Sequence, residues 1–312
     1  MLQDTGKPKV YIIIPNKNGL NHLVYSIPSV MNTSYPNYYC VFVDNCSSDG
    51  SLDFIQKSYT NIYIIENRMG KGFASSVNMG IKYALAQGAD YVAIYNSDIK
   101  VLPQWIDLGI DIFYKLNKVG VVGYTEIQKE REELFYNAKD IKDQVEYNMV
   151  KGLPGCLYIC SSKVFMHVGL FDGAYFMYGE DNDFFHRLRS AGYVLVQTNI
   201  HVWHYSEGSS DNRKFYITWL AYRNALRYSL KNEDTIRIFQ MLSALLNQGC
   251  NPFLSRKTDN PVFKRMRRYN IAVNFILIIA SCCWNLFYLP KIISQRVYTK
   301  KLIQKATANN HE

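Results

Sequence analysis

Over its first hundred residues the chain alternates short apolar runs with stretches of helical spacing. Val10–Pro15 is rich in β-branched residues and stops at Pro15-Asn16-Lys17-Asn18-Gly19, and Tyr39–Asp44 stops at Asn45-Cys46-Ser47-Ser48-Asp49-Gly50. Such runs predict buried strands that end in polar loops. Asn61–Glu66 and Tyr91–Tyr95 repeat the pattern, and helical spacing covers Leu20–Met31, Ser51–Tyr59 and Phe73–Ala86. Strand and helix in alternation predict an α/β fold on a mostly parallel sheet. Ligands of such sheets sit beyond the carboxyl ends of the strands, where the polar clusters 15–18, 44–50, 66–72 and 96–98 all fall.

Further on, Val119–Tyr124 reads as a strand, and the charged stretch Glu126–Val150 as loop and short helix, a candidate lid over the crevice. An apolar run over Gly152–Cys160, a carboxylate-rich segment over Phe171–Gly192 and a strand-like run over Tyr193–Tyr205 follow, and residues 214–248 have helical spacing. Ile271–Leu289 is apolar except for Asn274, Ser281 and Asn285, with Lys and Arg on both flanks.

Composition narrows the class. Of 312 residues, 48 % are hydrophobic and 14 % aromatic, with 18 Gly and 7 Cys, which excludes disordered, collagen-like and disulfide-dense chains. The seven cysteines form no CxxC pair and have no His at zinc-finger spacing, so reduced and mostly buried thiols are expected. The net charge of +9 is confined to the tail: residues 1–230 carry 22 basic and 22 acidic residues, residues 231–312 carry 13 and 4. A basic field over the whole body would suggest nucleic acid; a neutral body with a basic, apolar tail points to an anionic membrane surface. The first apolar run is too short for a signal peptide, so a cytoplasmic body is expected.

Candidate chemistry sits at the predicted strand ends. Asp98, directly after the fourth strand in Asn96-Ser97-Asp98, is placed to hold a hard divalent cation, although a lone Asp there also serves as a turn former. Gly179-Glu180-Asp181-Asn182-Asp183 sets three carboxylates before an apolar helical run; helix-dipole complementation explains one or two of them, while the aromatic approach Tyr175-Phe176-Met177-Tyr178 would partly desolvate a general base. His201 and His204 flank Trp203, and an imidazole beside carboxylates suits Mn²⁺ better than Mg²⁺. The loop Glu66–Phe73, with Arg68, Lys71 and Gly72, suits a diphosphate through its backbone N–H groups and its cations, and it lacks Walker spacing.

In this order the motifs resemble the family 2 glycosyltransferases of GT-A fold over residues 8–230, through Val10–Asn18, Val43–Ser51, Asn67–Gly80, Asn96-Ser97-Asp98 and Gly152–Ser209. The Asn-x-Asp motif and the Phe-x-Tyr-x-Glu-Asp region are most similar to the rhamnosyltransferase-like branch. The resemblance implies an inverting transfer of a sugar, hexosyl or deoxyhexosyl, from a nucleotide-diphosphate donor to a glycan or lipid-linked acceptor in bacterial surface polysaccharide synthesis. It implies donor contacts at Pro15, Asn18, Asp44, Asn45, Arg68, Lys71, Gly72, Asn78, Asn96 and Asp98. It also implies acceptor contacts at Gly155, Glu180 and Trp203, a catalytic base at Asp181, and a divalent metal, Mg or Mn, at Asp98 and His204. Asn96 departs from the common Asp-x-Asp motif and leaves one firm carboxylate for the cation.

The expected organisation is a GT-A catalytic domain over 8–230, with a nucleotide-binding half at 8–100 and an acceptor-binding half at 101–230, then a helical basic and apolar tail at 231–312. Two other readings compete. A sugar-phosphate nucleotidyltransferase would carry a Gly-rich basic signature after the first strand, where Pro15–Gly19 is poor in Gly. A non-catalytic carbohydrate-binding or membrane scaffold is disfavoured by the presence of Asp98 and Asp181. For the tail, a peripheral helix or helical hairpin on the inner face of the cell membrane is expected, with Trp284, Phe287 and Tyr288 at headgroup depth and Arg265, Arg267, Arg268, Lys300 and Lys301 against lipid; a spanning segment over 271–290, and packing of 271–289 on the catalytic domain or in a dimer contact, are the alternatives.

Overall fold

The structure is a computed structural model that describes residues 6–137, 145–205, 214–251, 262 and 269–309. Its centre is a nine-stranded sheet. The first four strands, β1 (Val10–Asn16), β2 (Tyr38–Asp44), β3 (Tyr63–Glu66) and β4 (Tyr91–Tyr95), lie parallel in the order β3-β2-β1-β4. They are joined by α1 (Leu20–Met31), α2 (Ser51–Ser58) and α3 (Phe73–Ala86). The expected bounds of α1, α3 and β4 coincide with these, because their apolar spacing is unbroken and their ends carry turn residues.

A second set of strands extends the sheet beyond β4. It comprises β5 (Ile99–Val101), β6 (Val119–Gln128), β7 (Tyr147–Val150), β8 (Leu157–Ser161) and β9 (Val194–His204). β8 runs antiparallel to both β4 and β6, β9 is parallel to β6, and β5 and β7 each pair antiparallel with β9. The stretch read as loop from Glu126 is partly sheet: β6 runs on to Gln128, α5 (Glu132–Asn137) follows, and β7 is a short strand with exposed Tyr147 and Met149. Of the candidate lid, 138–144 lie outside the described residues.

The pleat sends alternate residues to opposite layers. Ile12, Ile14 and Phe42 meet Leu23, Ile27 and Val30 of α1 and Trp105 of α4 (Trp105–Lys115). Ile13, Val41 and Val43 meet Ala74, Val77 and Ile81 of α3, and the same layer takes in α6 (Ser162–Val168) and Phe184, Phe185 and Leu188 of α7 (Glu180–Ser190). Ile12, Ile13 and Ile14 are fully buried; each such side chain contributes roughly 1.5–3 kcal/mol. Cys40, Cys156 and Cys160 are buried free thiols, whereas Cys46 and Cys283 are exposed.

Residues 214–248, expected as one helical region, form two helices, α8 (Lys214–Asn232) and α9 (Thr235–Cys250), the second capped by the Asp234 side chain. The apolar tail segment is α10 (Ile271–Phe287), followed after a 65° bend by α11 (Leu289–Asn309). α10 packs on α8 and α9, and α11 packs on α6, α7 and α8. The half-buried Trp284 ring lies against the Arg223 guanidinium at 4.4 Å, while Phe287 and Tyr288 beside it are exposed. Arg265, Arg267 and Arg268 lie outside the described residues. No single described helix is long and apolar enough to cross a membrane.

Candidate active site

The carboxyl ends of β1, β2 and β3 are laced together by backbone bonds, Asn45 N–H to the Asn16 carbonyl at 2.8 Å and Asn67 N–H to the Asp44 carbonyl at 2.7 Å. These bonds bring buried polar side chains to the end of the apolar sheet: Asn67 donates to Asn45 Oδ1 at 2.9 Å, Asn16 donates to Ser47 Oγ at 3.2 Å, and Asp44 Oδ2 accepts from Ser47 N–H at 3.0 Å. The Asn18 Oδ1 accepts from Ser48 N–H at 2.8 Å, which ties the first loop to the second. Asn16 Oδ1, Asp44 Oδ1 and Asn96 Oδ1 are buried with no hydrogen-bond partner among the described residues. Leaving a buried acceptor unpaired is costly, so three at one sheet end mark a place for a donor-bearing ligand.

A basic loop leads from β3 to α3. Arg68 is largely exposed, with Nε 3.1 Å from Glu66, and Lys71 is exposed. Gly72 has φ +85°, and a Cβ there would come within 2.4 Å of the Phe176 carbonyl. That close approach lets Phe73 N–H donate to the same carbonyl at 2.8 Å and draws the basic loop against the segment before Glu180. Pro15 is buried in β1 beside Val43. Asn78, expected at the donor, has both amide groups taken by the Phe171 backbone at 2.8 and 3.0 Å, so it braces the Gly169–Asp172 turn instead.

The turn between β4 and β5 carries Asp98. Buried Tyr95 accepts from Ser26 Oγ and donates to the Ser26 and Ile99 carbonyls, and Asn96 N–H donates to the Cys156 carbonyl at 3.0 Å, which fixes both ends of the turn. Opposite, His204 ends β9 in register with Ile99. Its Nε2 lies 3.3 Å from Asp98 Oδ2 and its Nδ1 2.8 Å from Glu126 Oε1, while Cys156 also meets the ring. Burial alone would lower the imidazole pKa, but hydrogen bonds to Asp98, Cys156 and Glu126 outweigh it and push it up to about 12. A carboxylate behind one ring nitrogen and a carboxylate facing the other is the arrangement that orients a metal-ligating histidine. With the Nε2 proton displaced, the Asp98 oxygen and the His204 nitrogen fit a divalent cation, and Glu126, Cys156 and His204 offer ligand atoms within 4.8 Å of one another. Neither Glu126 nor Cys156 stood out in the sequence, since Glu126 opens a stretch that reads as loop and Cys156 lies in an apolar run where a buried, inert thiol is expected.

Glu180 and Asp181 open α7. Asp181 Oδ1 accepts from the Tyr158 hydroxyl at 2.6 Å, and a Cβ on Gly155 would fall 2.5 Å from its Oδ2, so any side chain there would displace this carboxylate. Because Cys156 follows directly, the Asp181 carboxylate and the Asp98–His204 pair flank one short segment. Burial pushes the Asp181 pKa up, held back by the Tyr158 hydrogen bond. Glu180, 4 % exposed and with Oε2 unpartnered, is pushed up by burial and then by the neighbouring Asp181 charge. Asp183, the third acid, is structural: it pairs with Arg187 at 3.0 Å and Lys231 at 2.9 Å, and although burial would raise its pKa these cations hold it down.

Trp203 departs from expectation. One position before His204, it faces the other side of the sheet, where it is 5 % exposed among Leu102, Ile127 and Phe135 under the Lys100 ammonium at 4.3 Å. It is a core residue and not an acceptor contact.

The aromatic segment before Glu180 is held in a strained shape. Phe176 and Tyr178 have φ of +66° and +69°, and Met177 N–H donates back to the Tyr175 carbonyl at 2.8 Å, a tight γ-turn. α8 supplies the restraint: Asn224 donates to the carbonyls of Tyr175, Met177 and Tyr178, and Arg223 to those of Ala174 and Tyr175. Beneath it, Asp172 binds Arg227 at 2.8 Å and Lys231 at 3.1 Å. Burial would raise the Asp172 pKa, but these two cations hold it well below the usual carboxylate range.

With this geometry in view, likeness to known proteins is informative. An uncharacterized glycosyltransferase of Rickettsia typhi is 28 % identical over 217 residues, 64 % of this chain and 67 % of that one. A putative teichuronic acid biosynthesis glycosyltransferase of Bacillus subtilis is 33 % identical over 97 residues, 30 % of this chain and 37 % of that one. Among solved structures, a mannosyltransferase of Pyrobaculum calidifontis in complex with GDP-Man and Mn²⁺ superposes with a TM-score of 0.57 at 14 % identity, covering 99 % of this chain and 89 % of that one. The architecture shared with it is the GT-A fold. The sequence model described as Glycosyl transferase family 2 matches residues 11–172, just over half of the chain, and the chain belongs to that family.

Proposed function

We propose that the chain is an inverting transferase that moves a hexosyl or deoxyhexosyl group from a nucleotide-diphosphate sugar to a hydroxyl of a glycan or lipid-linked acceptor. In this reading residues 8–100 hold the nucleotide and 101–230 present the acceptor. The unpartnered buried oxygens of Asn16, Asp44 and Asn96 receive donor groups of the nucleotide sugar, with Asn45 and Asn18 beside them. Arg68 and Lys71 face the diphosphate, with Gly72 letting their loop close on Phe176. Asp98 and His204 would hold a divalent cation, Mg or Mn, which when bound supplies positive charge to the departing diphosphate.

Asp181 is the base. It takes the proton from the acceptor hydroxyl as that oxygen bonds to the anomeric carbon and the bond to the phosphate oxygen breaks, the electron pair leaving with the nucleoside diphosphate. The observation that carries the reading is the placement of Asp181 against Gly155, next to Cys156 at the Asp98–His204 pair, with a carboxyl pKa raised by burial. Glu180 and Gly155 border the acceptor side.

The Asn96-Ser97-Asp98 motif supports a rhamnosyltransferase-like donor preference. Local likeness to the Bacillus protein supports surface polysaccharide synthesis. The cationic 231–312 region supports a cytoplasmic, peripheral position on the inner face of the cell membrane. The test is to offer the purified chain a panel of UDP-, GDP- and TDP-linked hexoses and deoxyhexoses with Mg²⁺ or Mn²⁺. Release of the nucleoside diphosphate from one member is the expected result, and failure to bind or turn over any of them overturns the reading.

A further inference from the structure

Helix α10 has its polarity reversed. It contains no charged residue, and its polar side chains point into the protein: Asn274 accepts from the Tyr222 hydroxyl at 2.9 Å, Asn285 donates to the Arg223 carbonyl at 3.0 Å, and Ser281 is fully buried. The outward face is apolar at steps of three and four residues, with Phe275, Ile276, Ile279, Leu286 and Phe287 between 46 and 78 % exposed. A helix on a water-facing surface shows the opposite pattern. The face therefore has a partner that is apolar in depth.

Charge identifies that partner. Residues 271–309 contain five basic residues, Lys291, Arg296, Lys300, Lys301 and Lys305, and no acidic one. A second copy of the chain seated on this face would bring cations against cations, whereas an anionic bilayer offers hydrocarbon beneath a layer of negative headgroups. With 17 residues, about 25 Å at 1.5 Å per residue, and a 65° bend into α11, α10 suits lying in the interface. Asn285 also ties it through Arg223 to the carbonyls of Ala174 and Tyr175, a few residues before Asp181.

Resting on the peripheral reading above, we infer that the outward face of α10 is the surface that seats the protein on anionic lipid, with the α11 lysines at the headgroups. The experiment is flotation of the full-length chain with phosphatidylcholine vesicles, with and without phosphatidylglycerol, for wild type, Ile276→Gln/Ile279→Gln and Lys300→Glu/Lys301→Glu, with nucleotide-sugar binding as the control for folding. Wild type should float with the anionic vesicles. The apolar variant should partition at least about tenfold less at any salt, and the charge variant should lose only the preference for anionic lipid. If wild type floats and the apolar variant floats equally, the peripheral reading stands and the assignment to α10 falls. If wild type floats with neither vesicle, or forms a dimer that the apolar variant dissolves, the inference is overturned.

Discussion

Tyr158 of β8 donates its hydroxyl to Oδ1 of Asp181 at 2.6 Å, the one described side-chain hydrogen bond to a carboxylate that burial otherwise drives toward its neutral form. The two residues set the proton affinity of the proposed base between them, and the pair gives a pH-resolved prediction. Tyr158→Phe removes a bond that favours the charged carboxylate, so the Asp181 pKa rises further. Since the base must be unprotonated, the acid limb of the kcat profile should move to higher pH, by about one unit if the bond is worth the usual ~1.5 kcal/mol for a charged acceptor. Activity well above that limb should change little. A profile that moved to lower pH would contradict the assignment.

Gly155→Ala should act on chemistry more than on donor binding. Its methyl group would sit 2.5 Å from Asp181 Oδ2, so the carboxylate must move; a displacement of this order costs about 10²-fold in kcat. Titration of the nucleotide sugar by calorimetry should give a nearly unchanged Kd.

Asp98→Ala should weaken metal-dependent donor binding strongly and Asn96→Ala less, because only Asp98 is anionic. Glu126→Gln tests the ring's second partner: it lies on Nδ1 of His204 at 2.8 Å, and loss of such a carboxylate lowers metal affinity by roughly 10–100-fold. Calorimetry with Mn²⁺ titrated at fixed nucleotide reads both effects, and equal losses in Asp98→Ala and Asn96→Ala would mean that both residues serve as ligands.

Lys231→Met addresses stability. The ammonium pairs with both Asp172 and Asp183, whose pKa values are held below the ordinary range. Groups of that kind stabilise the fold above their unfolded pKa, near 4, and lose the contribution as pH falls through the folded value. Removing a buried partner costs about 3–5 kcal/mol, so the urea midpoint should drop sharply at pH 7, and the gap to wild type should begin to narrow as pH falls below about 4, where the unfolded chain takes up protons, and close only below the depressed folded values.

The strand ends that gather Asp44, Asn45 and Asp98 were legible because unbroken apolar runs stop at dense polar turns, and helices α1 and α3 because their periodicity is complete. β7 was not, since a short edge strand with exposed Tyr147 and Met149 lacks an apolar face. Helical spacing over 214–248 did not single out the polar residues of α8, yet Arg223 and Asn224 are buried on the Ala174–Tyr178 carbonyls and Arg227 and Lys231 are buried on Asp172. Periodicity registers polarity and cannot tell a solvated cation from a paired, buried one. Trp203 is an acceptor contact only by resemblance: strand alternation sends it and His204 to opposite faces, and its sheet partners put its ring in the core.

The most direct test of the account compares the kcat of Asp181→Asn with that of wild type, on the nucleotide sugar and metal that wild type uses, at donor concentrations that saturate both proteins. Asn keeps the volume and can still accept from Tyr158, but it cannot take the acceptor proton. The account predicts a fall of at least about 10²–10⁴-fold in transfer with donor saturation reached at the same concentration. Turnover within a few-fold of wild type would contradict it and leave Asp181 as a buried residue at a helix start.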